Sequence, residues 1–76
     1  MNNKKRESLK CAGMHLKKAS DMVSQVLDEE QDCLDNMPEN LQTSDNYERI
    51  EEAINSLESA IEYIDNARED IDAASA

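Results

Sequence analysis

The chain has no tryptophan and no phenylalanine, and Tyr47 and Tyr63 are its only aromatic residues. A core without large aromatic rings must be built from Leu, Ile, Val, Met and Ala, which favours helix-on-helix packing over a β-sandwich. One glycine and one proline leave few places for the backbone to turn. The 76 residues therefore indicate one small helical domain, a size at which a disulfide, a metal or a partner chain usually adds stability.

Long apolar runs are also missing. No stretch approaches the roughly 18 apolar residues of a membrane span, and the start MNNKKRESLK is not followed by the apolar segment of a signal peptide. Cys11 and Cys33 lie 22 residues apart in one predicted helix, about 33 Å and too far for a disulfide. These features predict free thiols and a soluble, cytoplasmic protein.

Basic residues are scarce beyond residue 18. The net charge is −10, but residues 1–18 carry six bases against one acid, a net charge of +5. Residues 19–76 carry only Arg49 and Arg68 against 17 acids, a net charge of −15. Direct DNA binding by the whole chain is not expected, because most of its surface repels phosphates.

The first half of the chain has apolar residues at alternating steps of three and four, which predicts a helical seam. The predicted seam residues are Leu9, Ala12, Leu16, Ala19, Val23, Val26, Glu30, Cys33 and Met37. Met22, Leu27 and Leu34 lie beside this seam, so the apolar face is wide enough for more than one neighbour.

The second half repeats the pattern more regularly. Its predicted seam residues are Tyr47, Ile50, Ile54, Leu57, Ile61, Ile64, Arg68 and Ile71. One flank of the seam is a column of alanines at Ala53, Ala60, Ala67 and Ala74, which allows a neighbouring helix to approach closely. The other flank is a column of acids at Glu51, Glu58, Asp65 and Asp72. Glu30 and Arg68 interrupt the two seams, and in a hairpin they are not expected to meet within one chain.

The stretch DNMPENLQTSD separates the two halves. Pro38 removes a backbone donor and disfavours helix at the residue before it, so the first helix should end near Asn36 or Met37. Thr43, Ser44 and Asp45 are all good N-cap residues, and Asp45 with Glu48 has capping-box spacing. A turn is therefore favoured over a kink, with helix 1 over about 4–36, the turn over 37–44 and helix 2 over about 45–74.

These patterns predict an all-α protein, a coiled-coil-like antiparallel two-helix hairpin that oligomerises into a helical bundle. The fold-back lays the basic start of helix 1 beside the acidic end of helix 2, where the charges offset each other. A homo-oligomer such as a four-helix bundle would cover the remaining apolar surface. The residues expected at the oligomer seam are Met22, Leu27, Leu34, Ala53, Ala60 and Ala67.

Catalytic and metal-binding signatures are missing. His15 is the only histidine, and with Cys11 it makes at most a weak intermolecular metal site. The carboxylates Glu29, Glu30, Asp32, Glu48, Glu51 and Glu52 could meet across the hairpin. The Glu-x-x-His pairing of di-iron bundles is absent, so we expect no metal, no cofactor and no enzyme activity.

The turn motif LDNMPENLQ, between the acidic segment DEEQD and the helix pattern AINSLESAI, resembles small acidic helical proteins of bacteriophages and prophages of gut bacteria. The similarity covers Asp28 to Ala67. It implies a phage origin and hence a location in the host cytoplasm, without implying a particular activity.

The leading functional hypothesis is a small acidic interaction protein that binds a basic surface of a host protein. It would inhibit that protein, as anti-defence proteins and nucleic-acid mimics do, through Glu51, Glu58, Asp65 and Asp72. An alternative is sequestration of an anionic nucleotide signal by the N-terminal bases, with Arg49 or Arg68. Those bases are Lys4, Lys5, Arg6 and Lys10. A purely structural helical role is the third possibility, and no membrane partner is expected.

Overall fold

The computed structural model describes residues 1–76, which form two long helices joined by a short turn. Helix α1 spans Asn3–Asp35, a single 3-10 turn spans Glu39–Leu41, and helix α2 spans Asp45–Ser75. The helices pack side by side in a rod of 60 × 14 × 13 Å. The all-helical hairpin is confirmed, and the helix limits lie within one residue of those predicted. Assembly into a bundle stays a prediction.

The limits of α1 follow from local hydrogen bonds. The Asn2 side chain is the N-cap and accepts a 2.8 Å hydrogen bond from the backbone N–H of Lys5. At the other end, the N–H groups of Asn36 and Met37 donate to the last carbonyls of the helix. Pro38 follows with φ −57° and ψ 145°, an extended conformation that cannot continue the helix.

Ser44 begins α2. Its hydroxyl accepts a hydrogen bond from the N–H of Tyr47 at 3.2 Å and donates one to the carbonyl of Leu41 at 2.6 Å, so it joins the turn to the helix. The predicted capping box of Asp45 and Glu48 is wrong. The cap lies one residue earlier than that pairing requires, which places Tyr47, a side chain that cannot complete a capping box, at the third helical position.

The buried face of α2 matches the predicted seam. Its eight predicted positions, from Tyr47 to Ile71, are all buried or half-buried. Ile50 and Ile54 are the most buried, at 8% and 5% exposed, and they lie near the turn. This end of the hairpin therefore contains its tightest apolar packing.

The buried face of α1 differs from the predicted seam. Five of the predicted seam positions also belong to the observed face and are half-buried as expected: Leu9, Leu16, Val23, Glu30 and Met37. The positions between them are Gly13, Ser20, Leu27 and Leu34, all buried or half-buried. The predicted Ala12 and Ala19 lie half-buried at the edge, whereas Val26 and Cys33 are exposed. Both patterns alternate by three and four, and the one that turns two leucines toward α2 buries more apolar area.

Only three of the 76 residues are buried, and none is completely inaccessible. The third, after Ile50 and Ile54, is Ser20 at 6% exposed. Its hydroxyl donates a 3.3 Å hydrogen bond to Asp65, and no other side-chain hydrogen bond joins the two helices. A two-helix hairpin with this little burial gains little stability from its own core.

Candidate functional site

The largest concave feature is an open groove of about 690 Å³ between the start of α1 and the end of α2. We call it the basic groove. Its lining comprises Arg6, Lys10, Gly13, Met14, Lys17, Lys18, Asp21, Arg68, Asp72 and Ser75. Five of these ten residues are cationic and two are acidic. The basic groove is therefore a positive surface on a molecule of net charge −10.

Helical periodicity positions the bases. Arg6, Lys10 and Lys17 recur at steps of four and seven, so they lie on one side of α1. The antiparallel fold adds Arg68 from α2, because the Ser20–Asp65 hydrogen bond places residue 20 opposite residue 65. Gly13 lines the groove without a side chain, and a Cβ at this position would contact nothing within 4 Å.

Two cationic side chains of the basic groove form ion pairs. Lys17 Nζ is 2.6 Å from Asp21 Oδ1, and Arg68 Nη1 is 3.5 Å from Asp65 Oδ1, which also accepts the hydrogen bond of Ser20. Each pair joins residues of the same helix, and the molecule contains no other ion pair within 4.0 Å. Lys10 and Lys18 consequently present free ammonium groups.

The predicted anionic-ligand residues divide into two groups. Arg6 and Lys10 line the basic groove, whereas Lys4 and Lys5 line a second, smaller depression beside Met1. Arg49 is exposed in the turn-proximal half of α2, 19 residues before Arg68 and outside the groove. The sequence analysis does not assign Lys17 and Lys18 to the anion site. The seven-residue step from Lys10 to Lys17 is a signal for it, because it places these two residues on one face of the helix.

The four acids proposed for partner binding also have different environments. Glu51 and Glu58 are exposed and form no ion pair. Asp65 is half-buried and already bound to Ser20 and Arg68, and Asp72 is exposed at the edge of the basic groove. Only the half of the column nearer the turn is therefore an uninterrupted acidic surface.

The residues assigned to an oligomer seam are placed as follows. Leu27 and Leu34 are half-buried on the α1 stripe that packs on α2, so the structure uses them within the hairpin. Met22 is 61% exposed, and Ala53 is exposed. Ala60 and Ala67 are half-buried on the flank of α2 opposite the acidic column.

The two ends of opposite charge are neighbours, as the fold-back predicts, because the basic groove brings Arg6 and Lys10 beside Asp72. Their charges do not form direct pairs, since no ion pair within 4.0 Å joins the helices. Glu30 and Arg68 are both half-buried, and they do not pair with each other.

The chemistry of the remaining polar groups is sparse. Cys11 Sγ lies 3.6 Å from His15 Nε2, and both cysteines are free and exposed. No group of three or more His, Cys, Asp or Glu side chains is arranged to hold a metal ion. Neither long helix has a segment apolar enough to cross a membrane.

These features define a helical hairpin with a basic groove at its open end and an acidic surface elsewhere. Comparison of the chain with protein-family models, with curated proteins and with solved structures finds no match.

Proposed function

We propose that the chain is an acidic interaction protein that binds a basic surface of another protein through the exposed carboxylates of α2 and of the adjoining half of α1. The observation that carries this proposal is the lack of internal neutralisation. Of 18 acidic side chains, only Asp21 and Asp65 form an ion pair. Unpaired surface charge creates a field that steers and selects an oppositely charged partner.

The surface nearest the turn is the strongest part of this interface. Residues 28–35 of α1 contain five acids and no base, and α2 begins beside them with four acids and one base, Arg49, in its first eight positions. The antiparallel fold places these two segments at the same end of the rod. The resulting negative surface includes Glu51 and Glu58, which no cation of the same molecule contacts as an ion pair.

The resemblance of the turn to phage and prophage proteins supports a host protein as the partner. Binding at a nucleic-acid site of that protein would inhibit it by mimicry. Successive acids of the Glu51 column lie seven residues apart, about 10.5 Å, or about three phosphate steps along one strand of a duplex. On this proposal the chain acts in the host cytoplasm and catalyses no reaction.

Capture of partners from host lysate tests the proposal. We expect the wild-type chain to retain a basic protein at low salt and to release it at high salt, because salt screens exposed charges. The double variant Glu51→Lys/Glu58→Lys should weaken retention at least about tenfold, since it reverses two unpaired charges at the interface.

Glu7→Lys is the matched control, because it reverses an exposed acid in the basic half of α1. It should change retention by less than about twofold, as expected for a charge outside the interface. Full retention by the double variant, or retention that salt does not affect, would contradict the proposal.

A second candidate function is sequestration of a phosphate-bearing small molecule, such as a nucleotide signal, in the basic groove. The specific observation is that the fold gathers Arg6, Lys10, Lys17, Lys18 and Arg68 around one open space. A nucleotide that binds the folded chain stabilises it by mass action, by about 2.7 kcal/mol at 100 times the dissociation constant.

Thermal melting with a nucleotide panel separates the two functions. If the basic groove binds nucleotides, the Tm should rise, and Lys10→Gln/Lys18→Gln should abolish the rise. Lys4→Gln/Lys5→Gln removes the same amount of charge outside the groove and should preserve the rise in Tm. No shift with any nucleotide would exclude this candidate, and failure of both functions would leave the purely structural role.

A further inference from the structure

The outward surface of α1 carries apolar residues that the hairpin does not cover. Cys11, His15, Met22, Val26 and Cys33 follow one another at steps of four and seven, which places them on one side of the helix. All five are exposed, Met22 at 61% and Val26 at 46%. We call this row the outer stripe.

The outer stripe lies away from Gly13 and Lys17 on α1, and Lys18, at the edge of the basic groove, borders it between His15 and Met22. Gly13 and Lys17 line the groove, and Ser20 contacts Asp65 on that same side. The half-buried Ala12 and Ala19 border the hairpin seam on its other flank, next to the outer stripe. Two exposed charged residues lie among the residues of the outer stripe, Lys18 in the basic half of α1 and Glu29 in its acidic half.

A partner that covers the outer stripe would stabilise the hairpin. Its interior contains three buried residues, two of them apolar, which is a small core for 76 residues. Chains of this size commonly gain stability from association, because a second copy buries apolar area that one copy cannot.

The charges of α1 select the orientation of such a partner. Residues 3–18 contain six bases and one acid, and residues 19–35 contain six acids and no base. Two α1 helices packed antiparallel bring each basic half against the acidic half of the other. Parallel packing brings together halves of like charge, which is unfavourable.

We propose that a second copy of this chain docks antiparallel on the outer stripe, around a two-fold axis near Met22. Cys11 and Cys33 each lie eleven residues from Met22, about 16 Å along the helix. The symmetry therefore sets Cys11 of each copy opposite Cys33 of the other, in two equivalent positions. The inference does not depend on the proposed function, because self-association is measured on the purified chain without any other protein.

Disulfide mapping of the full-length wild-type chain tests this arrangement. Diamide oxidises two facing thiols to a disulfide and takes up the two hydrogens itself. The two cysteines of one chain are too far apart to pair, so any disulfide joins two copies. After trypsin digestion, we expect most cross-linked products to join peptide 11–17 of one copy to peptide 19–49 of the other. Random collision would give this pairing in only half of the products. Mainly homotypic links, or no dimer, would overturn the proposal.

Single variants sharpen the test. Cys11→Ser and Cys33→Ser should each lower the dimer yield at least about tenfold, because each removes one partner from both positions. Mixing the two variants should restore cross-linking, since Cys33 of one variant meets Cys11 of the other. Strong cross-linking of either variant alone would overturn the antiparallel register.

Sedimentation provides a measurement that requires no oxidation. The wild-type chain should form a dimer at micromolar concentration, and Met22→Lys should raise the dissociation constant at least about tenfold by placing two charges together at the axis. Met14→Lys is the matched control, because Met14 is 67% exposed but lines the basic groove. A monomeric wild type, or equal weakening by Met14→Lys, would refute the outer stripe as the interface.

Discussion

At the residue scale, single side chains decide how the helices begin and how closely they approach. Ser44 joins the turn to α2 through two hydrogen bonds, one accepted and one donated. Ser20 occupies a seam position where a larger side chain is usual, and it uses its hydroxyl to bind Asp65 of the other helix. Gly13, two seam positions closer to the N-terminus, has no side chain, and a Cβ there would meet no atom within 4 Å.

Gly13→Ala should stabilise the protein. Alanine is more favourable than glycine in a helix by about 1 kcal/mol, and the added Cβ meets no atom within 4 Å. Thermal melting should show an increase in Tm of about 4 to 8 °C. Ala12→Gly is the control at the neighbouring position and should lower the Tm by a similar amount. A decrease with Gly13→Ala would show that the gap is required.

Ser44→Ala should destabilise the protein by about 1 kcal/mol, because it removes the N-cap acceptor of α2. Urea denaturation provides the measurement. Thr43→Ala is a suitable control, since Thr43 is exposed and forms no side-chain hydrogen bond in the structure. Equal losses for the two variants would contradict the assignment of Ser44 as the cap.

At the element scale, α1 has two overlapping apolar faces that share Leu9, Leu16 and Val23. Adding Leu27 and Leu34 gives the face that packs on α2, whereas adding Val26 and Cys33 gives a surface that the hairpin leaves exposed. Sequence spacing alone does not distinguish the two faces. The packing of α2 does, because burying two leucines removes more apolar surface from water than burying a valine and a cysteine.

Comparison of Leu27→Ala with Val26→Ala tests this assignment. Leu27→Ala should cost about 1 to 2 kcal/mol, below the range for a fully buried leucine because the residue is half-buried. Val26→Ala should cost about 0.5 kcal/mol or less, as expected at an exposed position. Denaturation at a concentration where the chain is monomeric gives both values. A larger loss for Val26→Ala would favour the seam expected from the sequence.

At the scale of the whole molecule, a thin core stabilises a chain with a strongly charged surface. Ile54 is the most buried apolar residue, and Ile54→Ala should cost at least about 2 kcal/mol. For a domain with so small a core, this loss is a large fraction of the total stability. Circular dichroism should show partial unfolding of the variant at low concentration and recovery at high concentration if association adds stability. A variant as stable as the wild type would contradict the assignment of Ile54 to the core.

The sequence predicts some residues of the basic groove and misses others. Arg6 and Lys10 were expected in an anion site, and their position on one face follows from helical periodicity. The contribution of Arg68 depends on the register of the hairpin, and the engagement of Asp65 depends on Ser20 across the interface. No local pattern reports these contacts, since each joins residues more than forty positions apart.

The sequence by itself determined the two helices, the turn at Pro38, the seam of α2 and the separation of basic from acidic segments, because periodicity, caps and charge are local properties. Only the tertiary structure decided which face of α1 packs on α2, and thereby placed Leu27 inside and Val26 outside. It also decided that the basic groove and the alanine column lie on opposite flanks. Those choices depend on how two surfaces fit and on how much apolar area each fit removes from water.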